Sequence, residues 1–210
     1  IIVFLASCNS ADKNKSTDIT TESETNAASA KANLLNIDTD EALIATAIMA
    51  APEASRAECK VIGFNMKGEF VTFKEGTNEF ICLADNPTEK GFSAACYHKN
   101  LEPFMARGRA LKAEGKTFQE IFDIREEEAK TGILDMGGTG STLHILYGPN
   151  AMYDPETGVV DGAKYRYVVY MPWATAESTG LPERPLAGNH PWIMNPGTHR
   201  AHIMISPINE

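Results

Sequence analysis

Glu58-Cys59-Lys60-Val61-Ile62-Gly63-Phe64, Glu69-Phe70-Val71-Thr72-Phe73-Lys74 and Glu79-Phe80-Ile81-Cys82-Leu83-Ala84 are three short runs rich in β-branched and aromatic residues. Asn65-Met66-Lys67-Gly68 joins the first two, and Gly68 suits the left-handed position of a hairpin turn. Gly76-Thr77-Asn78 joins the second pair. The economical arrangement of three such runs is a meander. Phe80 to Leu83 is apolar at successive positions, so both faces of that strand should be covered. The start of a β-sheet is the first expectation.

Helical spacing flanks these strands. Leu43, Ile44, Ala47, Ile48 and Ala51 recur on one face, Pro52 stops the run, and Asp38 with Glu41 has the form of a capping box. A helix is expected at about 39–51. Leu101, Phe104, Met105 and Leu111 form a second stripe at 101–113, weakened by Gly108. A third, at 117–130, opens on a Thr117/Glu120 box and carries Phe118, Ile121, Phe122 and Ala129 on one face. Glu126-Glu127-Glu128 should form its solvated side. Beyond Gly132 the chain is strand-like again, at 142–147, 164–171, 192–194 and 200–206. Strands, helices, then strands predict an α+β domain with a mostly antiparallel sheet and about three packed helices, spanning 34–210.

The body's attachments are read from the other end. Leu5-Ala6-Ser7-Cys8 closes an apolar opening and is similar to the lipobox of bacterial lipoproteins. That resemblance implies a signal-peptide remnant at 1–7 and an acylated Cys8. Its lipid would hold the protein on a membrane at about 0.8 kcal/mol per buried CH₂. From Asn9 to Asn33 the chain is polar, with Ile19 its one large apolar residue, and reads as a disordered tether. The expected location is the bacterial cell envelope. A net charge of −9 leaves no basic surface to grip nucleic acid.

Three further cysteines remain. Cys82 and Cys96 bracket 13 residues holding the Asp85-Asn86-Pro87 turn, and export permits a disulfide worth about 3 kcal/mol. A Cys59–Cys82 pair is the alternative. Gly76-Thr77-Asn78-Glu79-Phe80-Ile81-Cys82-Leu83-Ala84-Asp85-Asn86-Pro87, with Cys96 beyond, resembles a block in a group of small exported bacterial proteins. That block reads G-T-N-G-aromatic-x-C-x-P-D-N-P and is followed by a second Cys. Glu79 stands where the group has Gly, and Ala84 where it has Pro. Thr198–Ile205 is similar to the same group's closing strand, which also carries a His, and the likeness spans about 42–207. It implies a Cys82–Cys96 pair and no catalytic residue.

Candidate chemistry is thin. His199 and His202 stand three apart, which in a strand sends them to opposite faces. If Asn195-Pro196-Gly197-Thr198 closes a tight hairpin, Met194 faces His199 and no metal site forms. His202 and Met204 would share a face. The most enzyme-like stretch is Gly137-Gly138-Thr139-Gly140-Ser141-Thr142 with His144, a hydroxyl and a base beside a possible anion nest. It lacks both the nucleophile elbow and a phosphate-loop Lys. Asp154, Glu156 and Asp161 read as an exposed acidic loop rather than a calcium site. No cofactor or catalytic residue is assigned. The leading expectation is a non-catalytic envelope module binding a small molecule or a partner protein. The alternative is an envelope hydrolase using the Gly137–Thr142 loop with His144.

Overall fold

The structure, a computed structural model, describes residues 33–206. The lipobox, Cys8 and the tether as far as residue 32 lie outside the described residues. The chain order is α1 (Asp40–Met49), β1 (Lys60–Phe64), β2 (Phe70–Lys74), β3 (Phe80–Leu83), β4 (Phe92–His98), α2 (Glu102–Ala113) and α3 (Phe118–Lys130). It continues with β5 (Thr142–Gly148), β6 (Met152–Tyr153), β7 (Val160–Asp161), β8 (Lys164–Tyr170), α4 (Ala176–Thr179), β9 (Trp192–Met194) and β10 (His202–Ile205). Eight strands form one sheet in the order β2-β1-β3-β4-β5-β8-β10-β9, and β6-β7 is a separate hairpin. Only β1 and β3 pair in parallel, so the domain is α+β with a mostly antiparallel sheet. No helix among the described residues is long and apolar enough to cross a membrane.

The expected meander is corrected at its second link. Asn65–Gly68 does close a β1–β2 hairpin, with Gly68 at φ 79° donating to the Asn65 carbonyl at 2.9 Å. But β3 lies against β1, not β2. The link crosses the entry of β1 so closely that a Cβ on Gly76 would sit 2.2 Å from the Lys60 nitrogen. The backbone amides of Thr77 and Asn78 donate to the Glu58 carbonyl at 2.9 and 3.2 Å, and the Asn78 side chain donates to Ser55 O at 2.7 Å. Partners from the approach to β1 satisfy the link and carry the chain past it. Only a glycine fits that crossing.

Helices cover both faces of the sheet, and the alternation along β4 shows how. Phe92, Ala94 and Cys96 join the core under α1, where Leu43, Ala47, Ala50 and Ala51 pack on Val61, Cys82 and Leu146. Tyr97 joins the opposite core with Leu101, Phe104, Val168, Tyr170 and Met204, beside α2 and α3. The small alanines of α1 let the helix lie close to the strands. Its cap is Thr39, one residue after the expected Asp38, and accepts from the Ala42 amide at 3.1 Å. Asp40 is drawn away to accept from the Met66 amide at 2.8 Å. The Thr117/Glu120 box of α3 forms as expected. The four-residue α4 has no counterpart in the sequence reading, being too short to carry a period.

The β9–β10 connection is the second correction. Asn195–Thr198 is a turn, with Thr198 N donating to Asn195 O at 3.3 Å and Gly197 at φ 74°. A second turn follows at once, with Ala201 N donating to Thr198 O at 3.1 Å. The register therefore places Met194 opposite His202 rather than His199. His199 and Arg200 leave the strand and stand on the loop.

Candidate functional site

The apolar stripe of α3 contains a charge. Arg125 lies between Ile121 and Ala129 at helical spacing and is only 8% exposed. Its Nη1 donates to the Phe104 carbonyl at 3.2 Å, and the guanidinium carbon stands 4.0 Å over the Phe104 ring. A Cβ on Gly108 of α2 would come within 2.9 Å of that Nη1, so the helix-weakening glycine gives the guanidinium its room. Arg125 Nε is buried with no hydrogen-bond partner among the described residues. Arg200 Nε is in the same state, and the Arg200 guanidinium lies 5.3 Å over Phe118. Burial, and then repulsion from Arg200, brings Arg125 down to about 10, so it stays protonated at neutral pH.

Both arginines line a groove of about 490 Å³ between α2, α3 and the sheet. Its apolar wall includes Phe104, Leu143 and Ile121. Phe118, expected in the buried stripe, is instead 69% exposed, because the groove opens beside it. Five cationic residues line the groove against two carboxylates, Asp85 and Glu89. Lys112 is paired to Glu89 at 2.6 Å and Arg109 to Glu102 at 2.6 Å. Burial pushes the Asp85 carboxyl up, offset in part by the Ser93 and Asn86 amides. Among the described residues, Arg125 and Arg200 enter no ion pair.

The acidic triplet is less solvated than expected. Glu128 takes Arg107 through contacts of 2.7–3.0 Å, and Glu126 takes Lys130 at 2.6 Å and His199 Nδ1 at 3.2 Å. Only Glu127 stands clear. His199 is wholly buried, its ring edge-on to Phe122 at 4.8 Å. Burial lowers its pKa against the pull of Glu126, so a neutral ring donates through Nδ1 and leaves Nε2 without a partner among the described residues.

The opposite face holds the thiols. Cys82 and Cys96 are directly opposed in the β3–β4 register, with sulfurs 2.7 Å apart, and both are free thiols in the structure. Cys59, fully buried beside them, has its Sγ 3.2 Å from the Arg56 carbonyl. The Cys82 contact, then burial, pushes the Cys59 thiol up. The Cys59 contact works to lower Cys82, but the Cys96 contact and burial together push it up. Neither Cys59 nor Cys82 is a nucleophile at neutral pH.

His144 follows Cys96 in the same cross-strand row and lines a smaller hollow of about 360 Å³ with Arg56, Tyr165 and Tyr167. Burial lowers its pKa. Ser141 does not meet it there: its hydroxyl donates to Gly137 O at 2.7 Å, and the Gly137–Thr142 loop lines neither cavity. Gly137 packs against the Asn100 backbone, so the glycine loop serves close packing. His202 is buried in β10, its Nδ1 2.7 Å from the Arg200 carbonyl and its ring beside Tyr170 at 5.4 Å. Asp154 caps its own turn, accepting from Glu156 and Thr157 amides at 2.9 and 3.3 Å. Among the described residues no group of three or more His, Cys, Asp or Glu is arranged as a metal site.

Arg125 and Arg200 are not among the site residues expected from the sequence. The signal for Arg125 was present: a long cation at i+4 from Ile121 interrupts a stripe otherwise apolar. Arg200 had none, since a loop residue acquires its place only from the register. No protein-family model, curated protein or solved structure matches this chain.

Proposed function

We propose that this chain is a lipid-anchored protein of the bacterial cell envelope whose folded body binds a small molecule and performs no chemistry on it. The observation that carries the binding part is the groove. Its volume falls in the usual range for small-molecule sites, its wall is aromatic and aliphatic, and two of its lining arginines, Arg125 and Arg200, have no ion-pair partner among the described residues. A partner protein is the second occupant of the same class. The address rests on the Leu5–Cys8 resemblance alone.

Thermal-shift screening of the full chain against a metabolite library tests the binding reading. A stabilising ligand whose effect is lost in a Leu143→Arg variant is the expected result. No stabilising ligand, together with esterase, phosphatase or glycosidase turnover abolished by Ser141→Ala, would replace it with the hydrolase reading. Mass spectrometry of the mature N-terminus tests the anchor: acyl mass on Cys8 is expected, and a chain retaining Ile1–Ser7 contradicts it.

A further inference from the structure

A buried charge without a counter-charge is expensive, by several kcal/mol even after relaxation. Among the described residues Arg125 is such a charge, since no carboxylate pairs with it. Its stacking on Phe104 recovers about 2 kcal/mol, and its one hydrogen bond there goes to a neutral carbonyl. Arg200 is near enough to repel it, which adds to the burden. The carboxylate whose charge acts on it, Glu128, is already held by Arg107. A second, independent feature points the same way. Position 108 carries the glycine that keeps α2 clear of the guanidinium, although almost any other residue would strengthen that helix. Two guanidinium groups lining one cavity, one of them buried and neither in an ion pair among the described residues, are complementary to a planar or tetrahedral oxyanion.

The rest of the cavity sets the body of the ligand. Leu143, Ile121, Met105 and the exposed ring of Phe118 offer apolar surface beside the two cations. The volume admits one small molecule rather than a polymer. A net charge of −9 opposes long-range attraction of anions, so selection must come from contact inside the groove. We propose that the groove takes an amphiphilic oxyanion: a single carboxylate or phosphate-monoester head against Arg125 and Arg200, with an aliphatic or aromatic body along Leu143 and Phe118. This rests on the binding reading above and names its ligand class.

Titration calorimetry of the full chain with octanoate, octyl phosphate and 1-octanol tests it, with amide chemical-shift mapping to place the site. At least one anion should bind saturably, shifting Phe104, Gly108 and Leu143, with 1-octanol at least tenfold weaker. The preferred anion tells carboxylate from phosphate. Arg125→Met should weaken that anion at least tenfold, and Arg125→Lys should restore part of the loss. Gly108→Ala keeps every charge but crowds the guanidinium, and should weaken the anion while leaving the fold's spectrum intact. Equal binding of octanol and both anions in the groove would overturn the oxyanion inference and leave the binding module standing. No saturable binding of either anion up to about 1 mM would overturn the inference as well, and a ligand found only by the library screen would then carry the broader reading.

Discussion

The two faces of the sheet differ in what they do with polar atoms. Among the described residues, the buried side chains under α1 are Leu43, alanines, Val61 and three free thiols, with no unpaired charge in the cluster. Beside α2 and α3 the same sheet supports Tyr97, Phe104 and Tyr170, but the layer contains Arg125 and Arg200 with orphaned nitrogens and an open groove. One face obeys the rule that cores exclude unsatisfied groups; the other breaks it, at Arg125 and Arg200 in the groove and at His199 behind it. The difference teaches where stability is made and where it has been given up.

The largest effect should come from the closed face. Leu43→Ala removes a wholly buried side chain from among residues already small, which can collapse little. A loss of about 3–4 kcal/mol is expected in urea unfolding. A loss below about 1 kcal/mol would mean that α1 is not the lid of a tight core. Next is the thiol row. With Cys82 and Cys96 opposed in register, the proposed disulfide should form on oxidative folding and add about 3 kcal/mol over the reduced chain. Non-reducing peptide mapping should find Cys82–Cys96; a Cys59–Cys82 bond would mean that the third thiol of the cluster competes successfully.

Much of this contrast was legible beforehand and part was not. The helices at 40–49, 102–113 and 118–130 follow from apolar periodicity and caps, and the strands from β-branched runs between turns. That Cys82 and Cys96 face each other across adjacent strands follows from the Asp85-Asn86-Pro87 turn between them, because a hairpin's two arms are local. Strand order was not local. Gly76 belongs by sequence to a plain link between two strands, whereas its lack of a Cβ is what lets the chain cross β1. His199 was placed in a strand because one turn was counted where two occur. Gly108 was read as a flaw in α2 and is a socket for Arg125, a relation between two helices that neither helix states alone.

A graded effect should follow pH on both faces. Burial lowers the pKa of His144, His199 and His202, so below the ordinary histidine value the unfolded chain binds protons that the folded chain resists. Stability should therefore fall as pH drops through about 6.5. Melting midpoints across pH 5 to 8 check this, and His202→Gln should flatten the slope. A midpoint that rises on acidification across that window would show that these rings gain protons on folding. Smaller still, Gly108→Ala should change stability by less than about 1 kcal/mol, the gain in helix propensity set against displacement of a flexible guanidinium.

Arg125→Met tests most directly whether the open face has given up stability for a site. Met keeps most of the volume and removes the desolvated charge, which outweighs the lost stacking on Phe104. Urea unfolding of the ligand-free full chain should give a stability equal to or above that of the native sequence. A loss of more than about 1.5 kcal/mol would mean that Arg125 is a structural member of the core, and the contrast between the two faces would fall with it.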